Sequence, residues 1–231
     1  MENEIRKNVE SIFKRVKDAC HRTGRDSKSV RIVGVSKTVS AEKISEAIAA
    51  GITIIGENRV QEAQDKITSV QGNAEWHLIG HLQKNKVKYI FDLFQMMESL
   101  DSLDLAKAID NRAEKETVVF PVLIEVNVGE EKSKSGLLPK TVLESVKEMA
   151  RLKWIRIRGL MAVPPYSENP EDSRSYFRHL GEIQREIEAE GIDEVELQEL
   201  SMGMTNDFEV AVEEGATLVR IGRAIFGERQ N

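Results

Sequence analysis

The apolar positions of this chain alternate between two periods along its length. From Ile5, the residues Ile5, Val9, Ile12, Phe13, Val16, Ala19 and Cys20 recur at three- and four-residue spacing, and Gly24 follows the last turn. This pattern predicts an amphipathic helix with a glycine stop. The run RIVGVSK (31–37) is short, apolar and β-branched, which predicts a strand. A helix carrying Ala41, Ile44, Ala47 and Ile48 on one face follows and ends at Gly51.

The same strand-then-helix unit recurs. ITII (52–55) leads to a helix near Val60 to Ile67, WHLIG (76–80) to QKNKVKYI (83–90), and LFQMME (93–98) to SLDLAKAIDNRAEK (102–115). FPVLIEVNV (120–128) precedes a helix from about Pro139 to Leu152, and IRIRGLMAV (155–163) one across Asp172 to Glu190. VELQELSM (195–202) with TNDFEVAVEE (205–214) and ATLVRIG (216–222) with RAIFG (223–227) complete the series. LFQMME is also compatible with a continuing helix. Eight near-continuously apolar strands alternating with helices predict a parallel sheet covered by helices, and eight units fit a (β/α)8 TIM barrel of class α/β. An open doubly wound sheet calls for a glycine fingerprint after the first strand, where none stands. With no linker or break in composition, residues 1–231 are expected to form one domain with an extra N-terminal helix, and GEEKSKSG (129–136) is its one loose segment.

Composition narrows the function. The chain is 40% hydrophobic and 31% charged, an ordinary globular balance. With 33 Lys and Arg against 39 Asp and Glu, the net charge is -6 and there is no long basic block, which argues against nucleic acid or an anionic membrane as partner. The polar start MENEIRKNVE lacks the apolar core of a signal, so the mature chain is expected to begin at or near Met1, and no apolar run approaches spanning length. The single cysteine, Cys20, allows no internal disulfide, in keeping with a reducing cytoplasmic setting.

Barrel active groups lie at the C-terminal ends of strands, and a phosphate site is often built by the loops after strands seven and eight. The predicted ends carry Lys37, Gly56-Glu57-Asn58, His81, Asn127, Met161, Ser201 and Gly222. A lysine at an apolar strand end, withdrawn from water, gives up its proton more readily, and the neutral amine attacks a carbonyl to form a Schiff base; a solvated strand-capping lysine is the alternative. Ser201-Met-Gly-Met-Thr205-Asn-Asp207 reads as strand end, glycine turn and helix start with Thr205 as N-cap, a setting that suits phosphate. Asp207 would repel an anion or complement the helix dipole. Gly222 and the short helix beginning at Arg223 offer a second set of amides beside the first, and a plain capped turn is the alternative.

Arg220 interrupts an apolar strand and needs an acceptor, either a buried carboxylate such as Glu199 or a ligand's unprotonated ring nitrogen, since arginine only donates. His77 and His81 have the spacing of a helical zinc pair but fall on a strand and turn without the accompanying glutamate, so zinc is not expected. His81 at the mouth is either a ligand contact or a hydrogen-bonded loop residue. The loop Asn127 to Gly136, with Lys132 and Lys134, either closes over an anion or stays a solvated loop.

Taken in order, Val-Ser-Lys37, Gly56-Glu57-Asn58-x-x-Gln-Glu, Trp76-His77-x-Ile-Gly80-x-x-Gln83-x-Asn-Lys86, Gly159-Leu-Met161, Ser201-Met-Gly-Met-Thr205-x-Asp207 and Val219-Arg220-Ile-Gly222 resemble the YggS/PROSC pyridoxal phosphate homeostasis family over nearly the whole chain. The resemblance implies a fold-type III barrel like the N-terminal domain of alanine racemase, with pyridoxal 5'-phosphate (PLP) as an imine on Lys37. It implies that Ser201, Thr205, Gly222 and Arg223 surround the phosphate, that Arg220 faces the pyridine nitrogen, and that Asn58 lies near the ring; His81 and Met161, at neighbouring strand ends, join the expected cofactor contacts. Thr205 often appears as Ser in the family, and small residues also occur where Arg223 stands.

An arginine partner weakens the pyridinium electron sink and favours racemization over transamination. Racemization needs a second base, a tyrosine from a partner subunit in alanine racemase, and Tyr89, Tyr166 and Tyr176 stand in no corresponding setting; the chain ends at GERQN directly after the barrel. The expectation is therefore a monomeric, non-catalytic PLP binder that stores or delivers the cofactor, with PLP-dependent apo-enzymes as possible recipients. A PLP-dependent racemase or another Schiff-base lyase is the alternative.

Overall fold

A computed structural model describes residues 4–228. Helix α1 (Glu4–Arg22) leads into β1 (Arg31–Val35) and α2 (Ala41–Ala49), then β2 (Ile54–Glu57) and α3 (Val60–Ile67). β3 (Glu75–Leu78), α4 (Ile90–Leu93), β4 (Met96–Leu100), α5 (Leu103–Glu116) and β5 (Phe120–Val126) complete the first half. α6 (Pro139–Met149), β6 (Ile155–Ala162), α7 (Arg174–Ala189), β7 (Val195–Ser201), α8 (Phe208–Glu213), β8 (Leu218–Ile221) and α9 (Arg223–Phe226) follow. The strands close in sequence order into an eight-stranded barrel, β8 pairing with β1, with every pair parallel. The (β/α)8 architecture and the extra N-terminal helix stand as expected.

α1 buries Ile5, Val9, Ile12, Val16, Ala19 and Cys20 and packs against α2, α8 and α9. Full burial of an aliphatic side chain contributes about 1.5–3 kcal/mol, so this stripe fastens the helix behind the last two βα units. Gly24 takes φ +70 where the chain leaves the helix. Phe13, although in register with the stripe, stays 42% exposed at its edge.

Most boundaries shift by one or two residues, β2 for example running Ile54–Glu57 where 52–55 is expected, and two differences bear on the site. The fourth strand runs Met96–Leu100, three residues later than expected, because a 3-10 turn at Lys84–Tyr89 continues into α4 and keeps Leu93 helical. The helix after β7 begins at Phe208 with Asp207 as its N-cap residue, whereas Thr205 lies in the preceding turn. Asp207 does not stand free toward an anion: its Oδ1 accepts the Met204 amide at 2.7 Å and its Oδ2 accepts Ser173 Oγ at 2.9 Å.

Strand alternation sends one set of side chains to the helices and another into the barrel. Val33, Ile54, Leu123, Met161 and Leu218 form the apolar part of the interior. Beside them runs a buried polar series. His77 Nδ1 donates to Glu98 Oε1 at 2.7 Å, Ser201 Oγ donates to Glu98 Oε2 at 2.5 Å, and Arg220 Nη1 donates to Ser201 Oγ at 2.5 Å. Arg220 Nη2 reaches the Ala162 carbonyl at 2.8 Å. Arg220 thus finds Ser201 and the charge of Glu98, and Glu199 instead pairs with Arg31 and Thr217, because it sits two residues before Ser201 on β7, nearer the N-terminal end of the barrel.

Burial alone would push the Glu98 carboxyl up, yet the hydrogen bond and charge of His77, with Arg220 and Ser201 beside it, hold it below its ordinary value. Burial would likewise depress His77, but its contacts with Glu75 and Glu98 raise it. Arg220 is lowered by its burial, which Glu98, Glu125 and Asp207 oppose.

Gly159 sits where β6 shifts register against β5 and β7, and a Cβ there would come within 1.9 Å of the Glu199 carbonyl oxygen. Gly159→Ala is expected to cost about 3 kcal/mol in urea unfolding, the upper end of ordinary overpacking. Glu98→Ala leaves His77 and Arg220 without their buried counter-charge and is expected to cost about 3–5 kcal/mol in the same assay. Because the folded state raises the His77 value, its contribution is complete below about pH 6.5 and fades as pH rises through the folded value. Stability measured from pH 6 upward should therefore decline, and His77→Gln should flatten that limb.

Candidate functional site

The C-terminal mouth of the barrel holds a cavity of about 330 Å³. Lys37 enters it from the turn after β1, Asn58 from the end of β2, Thr205 from the turn after β7, and Gly222 and Arg223 from the end of β8, with Arg220 on the floor. Six of the residues singled out in the sequence, spread over 186 positions from Lys37 to Arg223, therefore meet in one pocket. Lys37 is half-buried, and each of the Thr205, Gly222 and Arg223 positions lies on the side built by the last two βα loops.

The other three lie elsewhere. Met161 is part of the apolar interior below the pocket, next to Leu123 and Leu218. Ser201 is fully buried, its hydroxyl engaged by Glu98 and Arg220. His81 is exposed, holds Asp101 Oδ2 at 2.8 Å through Nδ1, and lines a neighbouring groove with Arg59, Gln83 and Lys86; Asn58 borders both cavities. His77 and His81 do not share a site, since His77 faces the barrel interior and His81 the solvent.

Gly203 makes the turn after β7 possible. It adopts φ +87, and a Cβ on it would meet Ala211 Cβ at 2.4 Å, so the turn packs directly on α8. Gly222 brings the end of β8 against β1, where a Cβ would stand 3.3 Å from the Val35 carbonyl oxygen. Both glycines let backbone approach backbone at the phosphate-binding corner of such barrels.

Tyr166 corrects the sequence reading. It lies on the pocket rim, 78% exposed, because the segment after β6 (163–167) folds over the mouth, an excursion that helical or strand spacing does not reveal. Lys134 from the loop after β5 donates to the Pro164 carbonyl in that same segment at 3.1 Å, so the loop braces the rim. Asn127 closes the loop on itself through Glu131, accepting its amide at 3.2 Å and donating to its carbonyl at 2.9 Å.

Two acids went unremarked in the sequence: Glu98, which is fully buried, and Glu125, which is partly buried. Each interrupts an apolar strand, the same signal that drew attention to Arg220. Glu125 is pushed up to about 7 by burial and by the charge of Asp101, against the lowering effect of Arg220 and His81. It titrates near neutrality within the field of the pocket floor.

A model of the alanine racemase N-terminal domain matches residues 7–230. A pyridoxal phosphate homeostasis protein of Aquifex aeolicus is 47% identical over 220 residues, covering 95% of this chain and 96% of that one. A protein of unknown function from Bifidobacterium adolescentis superposes with a TM-score of 0.92 at 36% identity, covering 96% of this chain and 94% of that one. PipY of Synechococcus elongatus, solved with PLP bound, superposes with a TM-score of 0.83 at 31% identity over 96% of this chain and all of PipY. Fold and full-length similarity converge: the chain belongs to the alanine racemase N-terminal domain family, in its YggS/PROSC branch.

Proposed function

We propose that this protein binds pyridoxal 5'-phosphate in the mouth pocket, as a Schiff base on Lys37, and serves PLP homeostasis by holding the cofactor without catalytic turnover. The observation that carries the reading is the convergence of a lysine amine, an arginine and the β7 and β8 turns on one cavity. PLP, when bound, supplies an aldehyde that condenses with amines and a pyridine ring that draws electron density when its nitrogen is protonated. The donor set fits this group. Lys37 offers the amine, Thr205 a hydroxyl, and Gly222 and Arg223 the first turn of α9 with a cationic side chain at the phosphate corner.

Arg220 suits the ring nitrogen. Its guanidinium is fixed by Ser201 and the Ala162 carbonyl, and it has only donors to offer, so a nitrogen facing it accepts and stays unprotonated. Ser201 acts in this reading by holding Arg220. Asn58 borders the ring position. The relatives' names and the PLP-bound PipY support the same cofactor.

The proposal extends to a cytoplasmic monomer that delivers PLP to apo-enzymes. In keeping with it, among the described residues no helix is long and apolar enough to cross a membrane, and the exposed large apolar side chains, such as Phe13, Val119 and Leu138, sit on separate elements. Tyr166 on the rim favours a second reading, an amino-acid racemase on the same barrel, because racemization needs a second base and this tyrosine reaches the pocket.

Thr205→Ala and Arg223→Ala are each expected to weaken PLP about tenfold, the loss of one charge-assisted hydrogen bond, and to leave binding of pyridoxal, which lacks the phosphate, unchanged. Equal weakening of both ligands in an absorbance titration contradicts the phosphate assignment. For the PLP-loaded protein, exchange of amino-acid Cα protons in deuterated water should not exceed that of free PLP. Exchange that depends on both Lys37 and Tyr166 establishes the racemase instead.

A further inference from the structure

The motif Gly56-Glu57-Asn58-x-x-Gln61-Glu62 is only partly used by the site above, which takes Asn58 alone. Its two glutamates point to what the rest does. Glu57 is fully buried at the end of β2, and Glu62 stands in the first turn of α3. Lys66, one turn further along α3, lies between them.

Lys66 Nζ donates to Glu57 Oε1 at 2.7 Å, to Glu62 Oε1 at 2.8 Å and to the Ser36 carbonyl at 2.7 Å. An ammonium has three donors, and all three find acceptors here. Ser36 Oγ adds a 2.5 Å hydrogen bond to Glu57 Oε1. On the far side of Lys37, the Thr38 amide donates to Glu62 Oε1. Glu57 is shut off from water and the Lys66 side chain is 11% exposed, while Glu62 and Thr38 border solvent. Burial pushes the Glu57 carboxyl up in spite of Lys66 and Ser36, whereas Lys66 and the Thr38 amide outweigh burial at Glu62 and hold it down.

The geometry of these tethers is specific to one residue. The backbone of Lys37 is set by the two peptide planes on either side of its Cα. The first carries the Ser36 carbonyl, held by Lys66; the second carries the Thr38 amide, held by Glu62. Both tethers meet at the Lys66–Glu62 pair. Thr38 itself takes φ +63, a left-handed conformation that a β-branched residue adopts only when its surroundings impose it.

We propose that Glu62 and Lys66, anchored by Glu57, are positioning residues that clamp the peptide groups flanking Lys37 and so preorganise its amine for Schiff-base formation. The inference rests on the Schiff-base reading of Lys37. In the step concerned, Lys37 Nζ bonds to the aldehyde carbon, and the carbonyl oxygen leaves as water with two amine protons. Holding the backbone in advance removes an ordering cost that Lys37 would otherwise meet on reacting. The clamp therefore acts on imine formation and not on capture of the phosphate and ring.

The test compares two probes on purified full-length protein: PLP, and pyridoxine 5'-phosphate, which has an alcohol in place of the aldehyde. Glu62→Ala is expected to weaken PLP binding roughly three- to tenfold, the loss of one backbone tether, and to leave pyridoxine 5'-phosphate unchanged. Glu62→Gln, which keeps an acceptor for the Thr38 amide, should recover most of the loss. Lys66→Met should show the same selective loss, and Glu62→Ala decides the matter where Lys66→Met does not fold. Parallel loss of both probes, or no loss of either, overturns the clamp. Failure of the unaltered protein to form a borohydride-reducible adduct on Lys37 overturns the Schiff-base reading and the clamp with it, and so is distinct from failure of the clamp alone.

Discussion

A guanidinium inside a closed barrel has to be neutralised and hydrogen-bonded, and that requirement at Arg220 organises the interior around it. Ser201 accepts from it, Glu98 accepts from Ser201, and His77 donates to Glu98. The series crosses from β8 through β7 to β4 and β3, so four strands share one polar contact set. Burying a charge pair contributes little net stability compared with apolar packing, but removing one member strands the other in a dry interior. What the arrangement supplies is a fixed donor on the pocket floor. An arginine held at Nη1 and Nη2 cannot swing away from what lies above it.

The pocket wall is built by a different means. Its residues come from turns, and each turn is fixed by short-range constraints: the positive φ of Gly203 against α8, the close approach of Gly222 to Val35, and the Asp207 carboxylate receiving Met204 and Ser173. Lys37 is framed by peptide groups tied to α3. A rigid floor and individually tethered turns set the position of the Lys37 backbone at the mouth. At the rim Tyr166 is exposed and Lys134 braces the segment after β6.

Most of this architecture was legible in the sequence because alternating strand and helix periods repeat eight times and parallel strands read as apolar runs. The α3 range Val60–Ile67 follows directly from its spacing. β4 was harder: Leu93, Phe94, Met96 and Met97 are apolar with only Gln95 between them, and the 3-10 turn before them decides where helix ends and strand begins. Thr205 resembles an N-cap by type, yet Asp207 takes the position because the glycine turn at 203 extends two residues further. The strand-end rule brought out the pocket residues. It also selected Met161 and Ser201, whose side chains enter the barrel below the pocket, since strand position alone does not fix depth. The clamp of Glu57, Glu62 and Lys66 was invisible for another reason: its meaning lies in contacts to the backbone of residues 36 and 38, which no side-chain pattern encodes.

The central claim, that Lys37 holds PLP covalently, is tested most directly by an absorption spectrum of the purified protein with PLP before and after borohydride, followed by peptide mass mapping. The account predicts a visible band that borohydride abolishes and a pyridoxyl adduct on the peptide containing Lys37. A protein that stays colourless after incubation with PLP, or whose adduct maps to another lysine, contradicts it.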